Sequence, residues 1–250
     1  VTEDVVHYQK LAPQFEDYWS YSPEFVGWMT DSLVEHLGLT GIERVVDIGC
    51  ATALYARGIV KHASEVVCVD PSVEMLAQIP TNLHLVPVCG TAEEVACCSL
   101  LAAERFDAVL LKEVIHHVRR EAREAVLAGL ARRLTPGGRL LVAMLPDQLD
   151  YPLFQAALDR YEVGTRKYNA SHVVEAMRNA DLDTEVVTVS FPLRIAKEHY
   201  LNMVRGRYMS LFSKFDDEQL AAGLLEMDRA HPEEILEFTD RFAFVRGVAR

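Results

Sequence analysis

Apolar residues along this chain follow two rhythms that take turns. Short runs at Arg44–Ile48, Val66–Val69, Leu83–Val88, Ala108–Leu111 and Arg139–Met144 are nearly free of charge and have the length of single strands. Between them, near Ala53–His62 and over Val73–Ile79 and Arg120–Leu134, apolar positions recur three or four apart, as on a helix face. Strands buried on both faces and separated by helices predict a parallel sheet with helices on either side. Ahead of the first strand, Tyr8, Leu11, Phe15 and Tyr18-Trp19 keep helical spacing around Pro13. Pro23–Leu37 predicts a second amphipathic helix closed by Gly38. Pro136-Gly137-Gly138 predicts the turn into the fifth strand.

The rhythm changes in the last hundred residues. Helical patterns at Leu153–Tyr161 and Ser171–Ala180 lead to a β-rich run, Glu185–Phe191. A charged, aromatic helical stretch follows over about 195–227, and Phe238–Val248 predicts a final strand. A strand, a helical excursion and a returning strand would give an α/β sheet a cap over its ligand-binding edge. No linker or repeat interrupts the chain. The expectation is one domain over residues 1–250, with an N-terminal helical lid at 1–40, a cofactor-binding core at 41–145 and a substrate side at 146–250. The helical cap would span about 195–231.

Charge narrows the function. The 250 residues carry 25 Lys and Arg against 37 Asp and Glu, a net charge of −12. Tight binding to DNA or RNA needs clustered cations and is not expected. No basic segment followed by an apolar run opens the chain, and no stretch of 18 apolar residues occurs, so the reading is a soluble, cytoplasmic protein. Cys50, Cys68, Cys89, Cys97 and Cys98 are odd in number and lack CxxC spacing, which suits reduced thiols. Cys97-Cys98 is poorly arranged to chelate one ion, and no metal site is expected.

Candidate chemistry gathers where the first two strands end. Val45-Val46-Asp47-Ile48-Gly49-Cys50 runs into a turn of small residues, and 21 residues after Gly49 the second strand ends on Asp70. That spacing belongs to a βαβ nucleotide-binding unit, in which the turn admits a ligand to the backbone and the acid grips sugar hydroxyls. Asp47 lies inside an apolar run, where an unpaired carboxylate is costly. The turn's backbone amides are expected to hold it, with a ligand ammonium as a further partner. Of His116-His117, His116 is the one expected to face a substrate, where its titration near neutrality suits proton removal from a hydroxyl or amine. Adjacent histidines diverge and have no metal-ligand spacing. Along His199-Tyr200-x-x-Met203-x-Arg205-Gly206-Arg207-Tyr208, cations mix with aromatics. Guanidinium groups there would suit a carboxylate-bearing substrate; the alternative is a solvated face balanced by Glu198, Asp216, Asp217 and Glu218. Tyr8, Tyr18 and Trp19 suit a lid or a core equally.

Taken in order, these segments resemble the class I S-adenosylmethionine-dependent methyltransferases, especially the small-molecule group with the ubiquinone and menaquinone C-methyltransferases. Val45–Cys50 resembles the family's first motif and Val69-Asp70-Pro71-Ser72-x-x-Met75-Leu76 its second. Gly90-Thr91-Ala92-Glu93 is similar to the loop after the third strand. Phe106-Asp107-Ala108-Val109 through Glu113-Val114-Ile115-His116-His117-Val118 resembles the fourth-strand motif, and Leu134-Thr135-Pro136-Gly137-Gly138 the turn before strand five. The resemblance is collinear over about residues 1–145.

It implies a Rossmann-like, doubly wound α/β fold with a mostly parallel seven-stranded sheet whose last strand is antiparallel and inserted between strands five and six. It also implies S-adenosyl-L-methionine as cofactor and S-adenosyl-L-homocysteine as product. Asp47 and Gly49, Cys50 and Ala51 would lie against the methionine part, and Asp70 would accept hydrogen bonds from both ribose hydroxyls. Pro71 and Met75 would pack on adenine, Thr91 and Ala92 would reach its edge, and Leu111 and Lys112 would line the pocket. His116 and His117 are the catalytic candidates, although a histidine at the position of His117 is often a packing and hydrogen-bonding residue in the family. Tyr8, Tyr18, His199, Tyr200, Arg205 and Arg207 are the candidates on the substrate side.

The chain departs from the family in the first turn, where Gly49-Cys50-Ala51-Thr52-Ala53 stands for Gly-x-Gly-x-Gly. Each added methyl crowds the ligand and disfavours positive φ. The absent Gly-x-Gly-x-x-Gly argues against an NAD-linked oxidoreductase. Two other readings stay open: an enzyme of this fold that binds the cofactor for a cyclisation or elimination, and a binding module without turnover. Nothing in the residues selects oxygen, nitrogen, sulfur or carbon as the acceptor atom.

Overall fold

The computed structural model describes residues 3–102 and 104–250; the first two residues of the expected lid lie outside that range. Five strands run parallel: β1 (Arg44–Ile48), β2 (Glu65–Asp70), β3 (Leu85–Cys89), β4 (Phe106–Lys112) and β5 (Leu134–Met144). With β6 (Leu182–Ala196) and β7 (Ile235–Ala249) they form one sheet in the order β3-β2-β1-β4-β5-β7-β6. β7 is antiparallel to both of its neighbours, so the last strand slots between the fifth and sixth as expected.

Helices cover both faces. α1 (Glu3–Leu11), α2 (Phe15–Trp19), α3 (Pro23–Leu37) and α4 (Ala56–Ile59) precede β2. α5 (Val73–Leu76), α6 (Ala92–Ala96) and α7 (Arg123–Ala131) follow β2, β3 and β4. α8 (Gln155–Thr165) and α9 (Ala170–Asn179) lead to β6, and α10 (Lys197–Arg205) and α11 (Asp217–Ala230) form the insertion before β7. α3 starts where the Ser22 hydroxyl accepts from the Phe25 amide and stops at Gly38, whose φ of +62° suits a residue without Cβ. Its buried residues Phe25, Met29, Leu33 and Leu37 repeat every four positions, which turns one stripe to the sheet.

The two-residue period of the strands splits the core. Val45, Val66, Cys68, Ala108, Leu110, Leu141 and Ala143 pack with α3 and the α10–α11 insertion. Their neighbours Val46, Val67, Val69, Val109, Leu111, Leu140 and Val142 pack with α6, α7 and α9. Three helices are shorter than the sequence predicts. The one after β1 spans Ala56–Ile59 and passes into a 3-10 turn at Val60–His62. The helix after β2 closes at Leu76 because Gln78 and Ile79 donate to carbonyls three residues back, a tighter turn. The helix after β4 begins at Arg123, behind a 3-10 turn at Arg120–Ala122. β5 is longer, since Leu134 already pairs with Phe106; the ladder then skips the Pro136-Gly137-Gly138 turn and resumes at Arg139.

The turn after β1 is the tightest part of the sheet edge. The Gly49 and Cys50 amides both donate to the Val69 carbonyl, at 2.7 and 3.1 Å, and the Ala51 amide donates to Asp70 Oδ2 at 2.9 Å. Gly49 has φ +72°, and a Cβ there would stand 2.2 Å from Val114 Cγ2. Ala51 and Ala53 share the left-handed conformation, at φ +50° and +63°, which costs a residue with a Cβ roughly 1–2 kcal/mol. Ala51→Gly should therefore raise stability by about 0.5–1 kcal/mol after allowing for the greater freedom of unfolded glycine. Ala53→Gly also deletes a fully buried methyl, worth about 0.8 kcal/mol, and should change stability little. Urea unfolding of the two variants checks this; a clear loss of stability in Ala51→Gly would contradict a strained turn.

Candidate functional site

The strand order reverses around β1, which has β2 on one side and β4 on the other. Open α/β sheets bind ligands in the crevice outside the carboxyl ends of the strands at such a point. A cavity of about 820 Å³ opens there, ample for a nucleotide-sized ligand and a small molecule beside it.

One half of the cavity is built by β1, β2 and the loop after β3. Asp70 is its fixed point. Its Oδ1 accepts from the Ser72 amide at 2.8 Å and its Oδ2 from the Ala51 amide at 2.9 Å, which leaves further lone pairs on both oxygens. Burial pushes the Asp70 carboxyl up, against the two amides and the nearby His117. Pro71, Ser72 and Met75 continue the wall, and Gly90, Thr91 and Ala92 close it. The Thr91 hydroxyl caps α6 by accepting from the Glu94 amide, so Thr91 borders the cavity as part of a rigid helix start.

Asp47 is buried, lines the cavity and makes no hydrogen bond among the described residues. The sequence reading expected the turn amides to hold it; they bind the Val69 carbonyl and Asp70 instead. Register explains its surroundings. Asp47 stands opposite Leu110, so Lys112, two residues on, is its diagonal neighbour on the same face. Leu111 points to the other face and packs with Val46 and Ile48, away from the cavity. Burial and the Asp70 charge raise Asp47 to about 7, against the pull of Lys112. The Lys112 ammonium sits 4.9 Å from the centroids of both the Tyr55 and Phe242 rings, and burial lowers its pKa.

Glu113 follows β4 in the left-handed conformation, at φ +57°. Its amide donates to the Ala143 carbonyl and its Oε1 accepts from the Leu145 amide, both at 2.8 Å. Burial raises it to about 7, with Lys112 opposing. Sequence reasoning quoted Glu113 within a motif without giving it a role; a carboxylate directly after a buried strand was the available signal. Behind Lys112, the buried Asp240 accepts from the Tyr151 hydroxyl and is raised to about 6 by burial.

The other half of the cavity is walled by the loop after β4, by α8 and by the segment before α11. His116 and His117 line it, with ring centroids 3.9 Å apart, and the Tyr8 ring meets His117 edge-on at 5.3 Å. Arg123 donates from Nε to the Val118 carbonyl and from Nη2 to the His116 carbonyl, each at 2.9 Å. Its guanidinium lies 4.3 Å from the Tyr168 ring centroid. Tyr161, anchored by its hydroxyl to the Pro146 carbonyl at 2.6 Å, and Trp19 add apolar surface. Arg123, Arg160, Tyr161 and Tyr168 escaped sequence reasoning because no motif joins them; only the fold brings them together.

Of the residues singled out from the sequence, His116, His117, Asp47, Gly49, Cys50, Ala51, Asp70, Pro71, Met75, Thr91, Ala92, Lys112 and Tyr8 line the cavity. Leu111, Tyr18, His199, Tyr200, Arg205 and Arg207 do not. The cap segment uses its polar groups to fasten itself. Arg207 donates to the Phe212 and Phe215 carbonyls and pairs with Asp217, while Arg205 reaches Asn202 on its own exposed helix face. Tyr200 is fully buried, its hydroxyl 3.5 Å from that of Tyr208. His199 is exposed, and the Tyr18 hydroxyl donates to Gln14.

Residues 46–142 match the family model described as a methyltransferase domain. Over 145 residues the chain is 30% identical to a ubiquinone biosynthesis O-methyltransferase of Rhizobium etli, covering 53% of this chain and 56% of that protein. The chain spans about half the length of the curated relatives it matches. Among solved structures, the YcgJ protein of Bacillus subtilis superposes with a TM-score of 0.62 at 16% identity, over 88% of this chain and 97% of that one. The [4+2]-cyclase SpnF superposes with a TM-score of 0.56 at 18% identity, over 88% and 79%. These likenesses show the fold. Residues 46–142 thus carry a methyltransferase domain of the class I S-adenosylmethionine-dependent kind.

Proposed function

We propose that this chain transfers a methyl group from S-adenosyl-L-methionine to a small-molecule acceptor held in the same cavity. The observation that carries this reading is the pair of carboxylates at the switch point. Asp70 is locked by two backbone amides, and the buried Asp47 faces the cavity without a hydrogen-bond partner. The donor set suits an adenosyl sulfonium with a free amino group: Asp70 for ribose hydroxyls, Asp47 for the ammonium, and the Pro71 and Met75 side chains for adenine. Bound there, S-adenosyl-L-methionine supplies an electrophilic methyl group. Lys112 favours the ionised form of Asp47. The apolar wall of Trp19, Tyr161, Met144 and Leu145 would exclude water and press the acceptor toward the donor half. His116, and Glu113 with its raised pKa, stand ready to take a proton where the acceptor must lose one.

No helix of the described residues is long and apolar enough to cross a membrane. All five cysteines are free thiols, which supports a cytoplasmic location. The carboxylate-bearing substrate inferred from Arg205 and Arg207 loses those two residues as its support.

Incubation with methyl-labelled S-adenosyl-L-methionine and a panel of phenols, amines and thiols should move label into one acceptor class; cofactor binding without label transfer to any compound would contradict the reading. Asp70→Ala should weaken S-adenosyl-L-homocysteine by about 1.5–3 kcal/mol in calorimetry, the value of hydrogen bonds to a charged group. Unchanged affinity would remove Asp70 from the ribose site. The third expectation concerns pH. With Asp47 titrating near 7, a cationic amino group binds best to its carboxylate, so cofactor affinity should fall below pH 7, by up to about tenfold per unit. Asp47→Asn should flatten that dependence, and an equally steep profile in the variant would assign the titration elsewhere. Stability of the cofactor-free chain should run the other way. The folded carboxyl holds its proton to about 7 and the unfolded one only to about 4, so stability falls as pH rises between them.

A further inference from the structure

The carboxylates of the cavity are segregated. Its acids, Asp47, Asp70, Glu93 and Glu113, all come from the segments between β1 and the end of β4. Beyond Glu113 the lining contains, among the described residues, Arg123, Arg160 and Lys214 and not one carboxylate. In a chain of net charge −12, a wall with cations and no acid is a departure from composition. The acidic half suits a cationic donor; the basic half faces whatever lies beside it.

Arg123 is the centre of that wall. It is the first residue of α7, where the helix dipole opposes a cation, and it is partly buried. No carboxylate pairs with it among the described residues. Two carbonyls and the Tyr168 face fix its plane, and Tyr168 is in turn stacked on His172, with centroids 5.4 Å apart. Among the described residues its Nη1 donates to nothing. A guanidinium held rigidly by Nε and Nη2 with a free Nη1 edge offers directed donors to an anion at little entropic cost. Arg160, over the Phe215 ring at 5.6 Å, makes no ion pair or hydrogen bond among the described residues and borders the same space. Trp19, Tyr161, Met209 and Leu211 add apolar surface to this wall, beside the polar His116, His117, Thr165 and Ser210.

We propose that Arg123, assisted by Arg160, binds an anionic group of the acceptor, so that the substrate is an apolar molecule bearing a carboxylate or a phosphate. This deepens the methyl-transfer reading and rests on it for the division of the cavity. It moves anion recognition from the cap segment around Arg205 and Arg207 to the start of α7.

The test titrates benzoate, phenyl phosphate and benzamide into the chain saturated with S-adenosyl-L-homocysteine. At least one anion should bind roughly tenfold or more tightly than benzamide, the scale of a charge-assisted hydrogen bond. A preference for benzoate marks a carboxylate and a preference for phenyl phosphate a phosphate. Arg123→Gln should abolish the advantage with S-adenosyl-L-homocysteine affinity unchanged, and Arg160→Gln, on an exposed helix face, should reduce it severalfold. Benzamide equal to both anions, binding of none of the three, or an advantage that survives Arg123→Gln would overturn the proposal. Should Arg123→Gln fail to fold, the wild-type comparison and Arg160→Gln decide. Failure of S-adenosyl-L-homocysteine itself to bind would defeat the methyl-transfer reading, a result distinct from cofactor binding without anion preference.

Discussion

The hydrogen bonds from the Ala51 and Ser72 amides to the two oxygens of Asp70 are the constraint on which the site depends. They tie the turn after β1 to the end of β2, and with the Val69 carbonyl they consume the amides of Gly49, Cys50 and Ala51. A carboxylate at a strand end could swing into solvent. Fastened from both sides, it keeps one orientation in the wall of the crevice, with spare lone pairs on both oxygens. The left-handed alanines are the cost of that geometry. A turn with glycine at these positions would reach the same path without strain, so the chain tolerates about 1–2 kcal/mol at each alanine to keep it.

Beneath that turn the sheet register does the rest. Because side chains alternate, Asp47 and Lys112 share a face while Leu111 turns to the opposite core. Three carboxylates, Asp47, Glu113 and Asp240, surround one buried ammonium, and burial raises all three. Such a cluster is a poor stabiliser, since desolvation offsets much of the attraction. Its retention at the end of β4 makes sense where a cationic ligand completes the charge balance. The far wall reverses the sign, with Arg123 and Arg160 and no acid among the described residues, so charge changes sign across the cavity.

Much of this was legible in the sequence, and the boundary of legibility is physical. Strands buried on both faces are apolar runs, which is why β1 was read to the residue and the other parallel strands nearly so. The ends of α5 and α7 were overestimated because a 3-10 turn keeps the apolar spacing of a helix while changing its hydrogen bonds. Most residues expected to bind a cofactor lie in the cavity lining because they sit in motifs of fixed local spacing. Leu111 failed there, since a pocket assignment by neighbourhood ignores which face a strand residue occupies. The acceptor half failed more broadly. A cluster of arginines and tyrosines at 199–208 looked like a binding surface, yet Arg207 spends its donors on local carbonyls and Tyr200 and Tyr208 anchor the cap in the core. Arg123, Arg160 and Tyr168 are brought together by contacts between distant elements, which local pattern does not record.

The most direct test of the account is a crystal structure of the chain with S-adenosyl-L-homocysteine. The account predicts both ribose hydroxyls within hydrogen-bonding distance of Asp70, the amino group against Asp47, and Ala51 still at positive φ. An adenosyl group bound away from Asp70, or a turn that has abandoned its left-handed conformation to admit the ligand, would contradict it.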